Sequence, residues 1–389
     1  MSIFSEDKQY IAGTYNRFPV NIQSGKGSIA IADDGKEYID FASGIAVNSF
    51  GFCDSEWVQA ITKQINSVQH TSNLYYTSPC VELAKLLVEK TGLKKVFLSN
   101  SGAEANECAI KTARKYSQDK KGKDYYKILT LNNSFHGRTI TTLAATGQEV
   151  FHKDFTPLTE GFVYANANDI ADLNEKVAQN KLAAIMIEVV QGEGGINVLE
   201  QSFVDEIVKL ANQNDLLIIV DEVQTGNGRT GKFYGYMHFG FTPDIVTTAK
   251  GLGGGLPIGA TIFGEKTCDV LGAGNHGSTF GGNPVCAAGA VSIVKRIDQD
   301  FMQNIAKKSQ YIIDELKDCD GVVSVSGLGL MLGVEVKANN KEIVNKCIEK
   351  GLLVLTAKNK LRLLPALNIS DELLKKGVDI LKQAIAEVK

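Results

Sequence analysis

Two short apolar runs, each delivering a charged residue into a glycine-rich turn, constrain this chain more than any other feature. The first, LLIIV, runs from Leu216 to Val220 and ends in Asp221-Glu222-Val223-Gln224. The second, DIVTTA, runs from Asp244 to Ala249 and ends in Lys250, followed by Gly251 and the glycines at 253–255. Short apolar runs bounded by glycine read as buried strands of a parallel sheet. Open α/β sheets bind their ligands beyond the carboxyl ends of such strands. One strand therefore delivers a carboxylate to that crevice, and another delivers an amine.

Residues two apart on a strand share a face. Asp221 and Val223 then point one way, and Glu222 turns aside. A carboxylate beside an apolar wall suits a flat cationic heterocycle, because the acid meets a ring N–H and the valine covers a ring face. Pyridoxal phosphate is such a ring. A Schiff-base lysine and an acid on its pyridinium nitrogen are its usual protein partners. Lys250 and Asp221 supply both. Either arm alone also reads as a solvated strand end or a loop start. The same stretch holds a rival, because Gly226-Asn-Gly228-Arg-Thr-Gly231 is a literal G-x-G-x-x-G with Asp244 beyond it. A dinucleotide fingerprint should open a helix and should place its acid at the end of the next strand. Here no helical period follows, and Asp244 begins a strand.

A chain of 389 residues with 44% apolar and 22% charged content builds a sizeable globular core. Its net charge of −3 offers no general attraction to nucleic acid or anionic membrane, so any phosphate must be bound locally. MSIFSEDKQY is charged early and lacks an apolar stretch, so no signal peptide is expected. Seven scattered cysteines without a C-x-x-C, and five histidines without ligand spacing, point to a reducing cytoplasm and no structural metal.

Along the chain, residues 1–45 read as an arm of short strands around an Asp34-Gly35 turn. Residues 46–289 read as a large α/β domain, and 290–389 as a smaller α+β domain. In KKVFLSNSGAEANECAIKTARKY, Ser101-Gly102-Ala103 sits between a strand and a helix. Backbone N–H groups at a helix N-terminus make an anion site, although a plain N-capped turn has the same composition. Phe135-His136-Gly137-Arg138 follows another strand. An aromatic there stacks on a ring and an arginine holds a carboxylate, while a buried phenylalanine and a surface arginine remain the plainer reading. Glu188 and Glu193 lie at the outlet of AAIMIEVVQGEGG. Further on, the spacing predicts one helix over 290–316, and strands in LLVLTA and KLRLLPAL.

Eight ordered blocks spread over nearly the whole chain carry a family resemblance. They are DGKEYIDFASGIAV (34–47), SNSGAEANE (99–107), SFHGRT (134–139), IEVVQGEGG (187–195), DEVQTGNGRTG (221–231), PDIVTTAKGLGGGLPIGA (243–260), HGSTFGGNP (276–284) and LRLLPAL (361–367). The chain resembles the class III aminotransferases, which are fold-type I pyridoxal-phosphate enzymes. Gly51-Phe-Cys-Asp-Ser departs from the family, whose members commonly carry Gly-His and a proline there.

The resemblance implies a large domain with a mainly parallel sheet flanked by helices. It implies a smaller α+β domain made from the N-terminal arm and the C-terminal part. Pyridoxal 5'-phosphate is the implied cofactor, joined covalently to Lys250. Asp221 is placed on the ring nitrogen, Val223 and Phe135 on the ring faces, and Gln224 on the phenolic oxygen. Ser101, Gly102 and Ala103 are placed on the phosphate, with Thr279 reaching the phosphate of a neighbouring subunit in a homodimer. Arg138 binds a substrate carboxylate, and Ser278 and Tyr15 approach the substrate. The implied partners are an amino donor and the 2-oxoglutarate/glutamate pair. Glutamate needs a second cation near the ring, for which Arg362 is the candidate, paired with Glu193 when it is not in use.

Overall fold

The computed structural model describes residues 2–388. Its centre is a seven-stranded sheet of Lys95–Ser99 (β1), Lys127–Leu131 (β2), Phe162–Ala165 (β3), Leu182–Ile187 (β4), Leu217–Asp221 (β5), Ile245–Thr248 (β6) and Gly259–Phe263 (β7). The spatial order is β1-β7-β6-β5-β4-β2-β3. β7 runs antiparallel to β6 and to β1, and the remaining pairs are parallel. Every residue of β4, β5 and β6 is buried. Layers on both faces of a parallel sheet impose this, and it explains why those strands read as continuous apolar runs.

The helix Gly102–Lys121 lies across β6 and β7. It buries Ala105, Cys108, Ala109, Thr112, Ala113 and Tyr116, a run of three- and four-residue steps that places one stripe on the sheet. Ser101 caps it, its side chain accepting from the Glu104 N–H at 3.1 Å.

Two smaller sheets complete the molecule. Arm strands Ile22–Lys26, Ile29–Ala32 and Glu37–Asp40 join Leu352–Leu353 from the C-terminal part. Val322–Leu328, Met331–Val336, Lys360–Leu363 and Leu355–Ala357 form the other. The run LLVLTA is thus not one strand. Its first two residues pair with Ile39 and Asp40, and its last three pair with 360–362 in a different sheet. Fully buried Val354 makes the crossing.

The single helix expected over 290–316 is also two, Pro284–Arg296 and Gln299–Leu316. Ile297 leaves the helical region at φ −86°, ψ 82°, and is buried in the main core. The Asp298 side chain then caps the second helix by accepting from the Phe301 N–H at 2.8 Å.

The G-x-G-x-x-G segment opens no helix. It packs against the C-terminal part, where Arg229 Nη1 donates to the carbonyls of Leu330 at 2.9 Å and Pro365 at 2.6 Å. Asp244 sits before β6 and accepts from the Ile218 N–H at 2.9 Å, at the end of the sheet opposite the one a ribose would need. Among the described residues no helix is long and apolar enough to cross a membrane.

Candidate active site

β5 and β6 are parallel neighbours, with Asp221 directly opposite Thr247. Their carboxyl ends open into a cavity of about 480 Å³. Asp221, Val223, Gln224 and Lys250 line it, together with Ser101, Gly102, Ala103, Phe135, Arg138, Glu188 and Glu193. Glu222 turns away, as strand alternation requires. Its carboxyl accepts from Thr225 Oγ1 and from the N–H groups of Gly235 and Tyr236, and burial pushes its pKa up to about 7.

Asp221 is held by three groups. Its Oδ2 accepts from Asn106 Nδ2 at 2.8 Å and contacts His136 Nδ1 at 2.8 Å. Its Oδ1 accepts from the Val223 N–H at 3.0 Å. Asn106 also donates to the His136 carbonyl and accepts from Thr247 Oγ1 at 2.6 Å, tying helix, loop and both strands together. A carboxylate offers about four lone-pair sites. Three are taken, which leaves one for a ring N–H in the cavity.

Lys250 lies just past β6 with φ 45°, a left-handed backbone that costs a non-glycine residue about 1–2 kcal/mol. Burial lowers its pKa, Glu193 and Asp221 oppose that shift, and Arg362 reinforces it. A lowered pKa makes the neutral, proton-accepting amine easier to reach, which suits proton transfer. Ser49 Oγ donates to the Gly251 carbonyl at 3.2 Å, and a Cβ on Gly251 would stand 2.7 Å from that oxygen. Any larger residue after the lysine would have to push the Ser49 hydroxyl out of this bond.

The N-terminus of Gly102–Lys121 supplies an anion cradle. Ser101 satisfies the Glu104 N–H, while helix geometry leaves the N–H groups of Gly102 and Ala103 without intrahelical partners. A Cβ at Gly102 would meet both Val223 methyls at 2.7 Å, so the cradle and the apolar wall are in contact. An acceptor for a ring N–H, an apolar wall, a buried amine and an anion cradle in one cavity fit pyridoxal phosphate.

Arg138 lies over the Phe151 ring at 4.1 Å and the Phe135 ring at 5.6 Å, and forms no ion pair among the described residues. Arg362 is 4% exposed. Its Nη1 donates to Glu193 Oε1 at 2.5 Å and to Gln224 Oε1 at 3.4 Å, while its buried Nε lacks a partner. Burial raises the pKa of Glu193, and the Arg362 guanidinium reverses this, so the net shift is downward. Ser278 does not itself line the cavity, but its Oγ accepts from Nδ2 of Asn100, which does, at 3.0 Å.

Two expected residues lie elsewhere in the chain. Thr279 lines a separate pocket with His70, Tyr75, Tyr76 and Cys80. Tyr15 is 71% exposed on the arm. Sequence reasoning assigned nothing to His136, and missed Asn106 entirely. Asn106 stands four residues beyond Gly102, the helical spacing that places two residues on one face, so its signal was present.

The model of the family "Aminotransferase class-III" matches residues 10–385. The chain belongs to the class III aminotransferases. It is 49% identical to the acetylornithine aminotransferase of Haemophilus ducreyi over 384 residues, 98% of each chain. Among solved structures, N-acetylornithine aminotransferase from Stenotrophomonas maltophilia matches with a TM-score of 0.86 and 34% identity over 99% of each chain. Ornithine aminotransferase from Toxoplasma gondii, described with partial occupancy of PLP at its active site, matches with a TM-score of 0.94 and 32% identity. That match covers 99% of this chain and 94% of the Toxoplasma chain.

Proposed function

We propose that this class III aminotransferase moves the distal amino group of N2-acetyl-L-ornithine to 2-oxoglutarate, with pyridoxal 5'-phosphate as cofactor. The products are N-acetyl-L-glutamate 5-semialdehyde and L-glutamate, and the step belongs to arginine biosynthesis. The observation that carries the reading is the buried pair at adjacent strand ends, with Asp221 held by three donors and Lys250 in the same cavity. The arm, the large α/β unit and the C-terminal α+β unit are read as two domains, the arm belonging with the C-terminal one.

When bound, the cofactor would supply a carrier for the amino group and a sink for the electron pair left at the substrate carbon. Asp221 keeps a proton on the ring nitrogen. Lys250 Nζ would take the proton from the substrate carbon and carry it within the cavity. Val223 and Phe135 cover the ring faces, and Gln224 meets the phenolic oxygen. Ser101, Gly102 and Ala103 hold the phosphate. Arg138 would receive the substrate carboxylate, with Ser278 at the edge of its site.

The likeness to ornithine aminotransferase favours a second reading, in which the donor carries a free α-amine. Other distal amines, such as succinyl-diaminopimelate and 4-aminobutyrate, test the same boundary. A donor panel with 2-oxoglutarate should place acetylornithine first in kcat/KM. A preference of about tenfold, or 1.4 kcal/mol, for another donor would replace the assignment.

Arg362 and Glu193 adapt one cavity to two substrates. Glutamate brings a second carboxylate, which takes the place of Glu193 on Arg362. Acetylornithine leaves the ion pair closed. Removing the cationic partner of a desolvated carboxylate costs about 2–5 kcal/mol. Arg362→Ala should therefore slow the glutamate half-reaction by that amount and largely spare the acetylornithine one. Rapid-mixing absorbance follows each separately, and equal losses in both would refute the exchange.

The reading includes a homodimer. Asn73 Nδ2 donates to the carbonyls of Ser278 and Gly281, which gathers Leu74, Tyr75, Tyr76 and Phe280 beside Thr279. Those four side chains are 87%, 72%, 99% and 62% exposed. An exposed apolar patch of this kind marks an interaction surface. A second copy covering it brings Thr279 to the partner's phosphate site. Mixing Lys250→Ala with Thr279→Ala subunits should then produce one doubly defective and one intact site. Activity should rise above either parent, and no gain after confirmed exchange would place Thr279 in its own subunit's site.

A further inference from the structure

Glu188 is the first residue past β4, 6% exposed, and lines the active cavity. Its two oxygens serve different loops. Oε2 accepts from the Phe135 N–H at 2.9 Å, and Oε1 accepts from the Gly192 N–H at 3.3 Å. The first loop carries the aromatic proposed to cover the ring. The second carries Glu193, the residue ion-paired with Arg362. Gly192 is also where Gln224 rests, since a Cβ there would stand 2.6 Å from Gln224 Oε1. That same oxygen accepts from Arg362 at 3.4 Å. One buried carboxyl therefore bridges the ring face and the Glu193–Arg362 gate.

The local charges keep this bridge soft. Burial pushes the Glu188 pKa up to about 7, and the nearby Asp221 adds to the shift. His136 and the two backbone donors work against it, and Lys250 faces the same group. The longer of its two hydrogen bonds is the one to the gate loop.

We propose that Glu188 is a positioning residue that couples the Phe135 loop to the Glu193–Arg362 gate. Opening the gate for a substrate carboxylate draws Gly192 from Glu188 and loosens the hold on Phe135. This rests on the aminotransferase reading for the identity of the ring and the substrates. The mechanical coupling itself involves only residues of this chain.

The coupling is measured without turnover, by amide hydrogen exchange on the full-length holoenzyme. Glu193→Gln breaks the ion pair with Arg362. Exchange in residues 134–138 should then become about tenfold faster; Asn132 and Asn133 are left out because they meet the gate loop directly at Gln191 and Gly194. A glutamine at 188 has one acceptor oxygen and cannot serve both N–H groups. In the Glu188→Gln background, adding Glu193→Gln should leave residues 134–138 unchanged. Unchanged exchange there on Glu193→Gln alone would overturn the coupling, as would an equal response in both backgrounds. If Glu188→Gln fails to fold, the Glu193→Gln measurement still decides. Absence of amino transfer in the parent protein would count against the proposed function and would leave this readout intact.

Discussion

Lys250→Ala should lose at least roughly 10⁴-fold in turnover while keeping its fold, the scale seen when a group that acts in the reacting step is removed. Among the described residues, Lys250 is the only lysine lining the cavity. It sits in a left-handed backbone that its surroundings hold in place, and burial lowers its pKa. Alanine removes the amine and leaves Asp221, Val223 and the Ser101–Ala103 cradle untouched, so the cofactor should still bind. Small primary amines added to the variant should restore part of the rate, because they return a proton carrier to the vacated volume. Steady-state assays of purified variant, with and without such amines, test both statements. Wild-type-like turnover without added amine would remove Lys250 from the chemistry.

Arg229→Met should cost about 2–5 kcal/mol of stability, since each buried carbonyl left without its donor costs about 1–3 kcal/mol. Arg229 is 2% exposed, and burial pulls its pKa down to about 9 against the opposing charge of Asp40. It donates to Leu330 and Pro365, and its own carbonyl accepts from the Leu330 N–H at 2.9 Å. A Cβ at Gly329 would stand 2.4 Å from the Thr230 carbonyl carbon, so the two segments meet backbone to backbone. Methionine keeps the apolar stem but leaves two carbonyls unsatisfied. It also leaves Asp40, 4% exposed, without the guanidinium. Adding Asp40→Asn should recover part of the loss by removing the stranded charge. Denaturant titration of both variants measures this, and a loss below about 1 kcal/mol would assign Arg229 no more than a surface ion pair is worth.

Much of the site was legible because its chemistry is local. The pair of strands, the acid, the valine two residues on, the lysine and the glycines behind it follow from alternation and from where apolar runs stop. Ser101-Gly102-Ala103 follows from a strand meeting a helix. The rejection of the dinucleotide reading followed in the same way, since it turned only on what came next in the chain.

Tertiary structure alone decided how Asp221 is held. His136 and Asn106 lie 85 and 115 residues away from it in sequence, and although helical spacing puts Asn106 on the face of Gly102, nothing local to either position names Asp221 as its partner. The same holds for Glu188, whose two hydrogen bonds reach loops from different parts of the chain. LLVLTA reads as a single strand because every residue suits one. Its division between two sheets depends on which partners are free to pair, and the pattern of one segment does not contain that information. Residue alternation and helix caps are set within a few positions, whereas hydrogen-bond partners are set by closing long loops. The first kind of choice is written in the sequence in order, and the second becomes readable only when the sheet has brought the strand ends together.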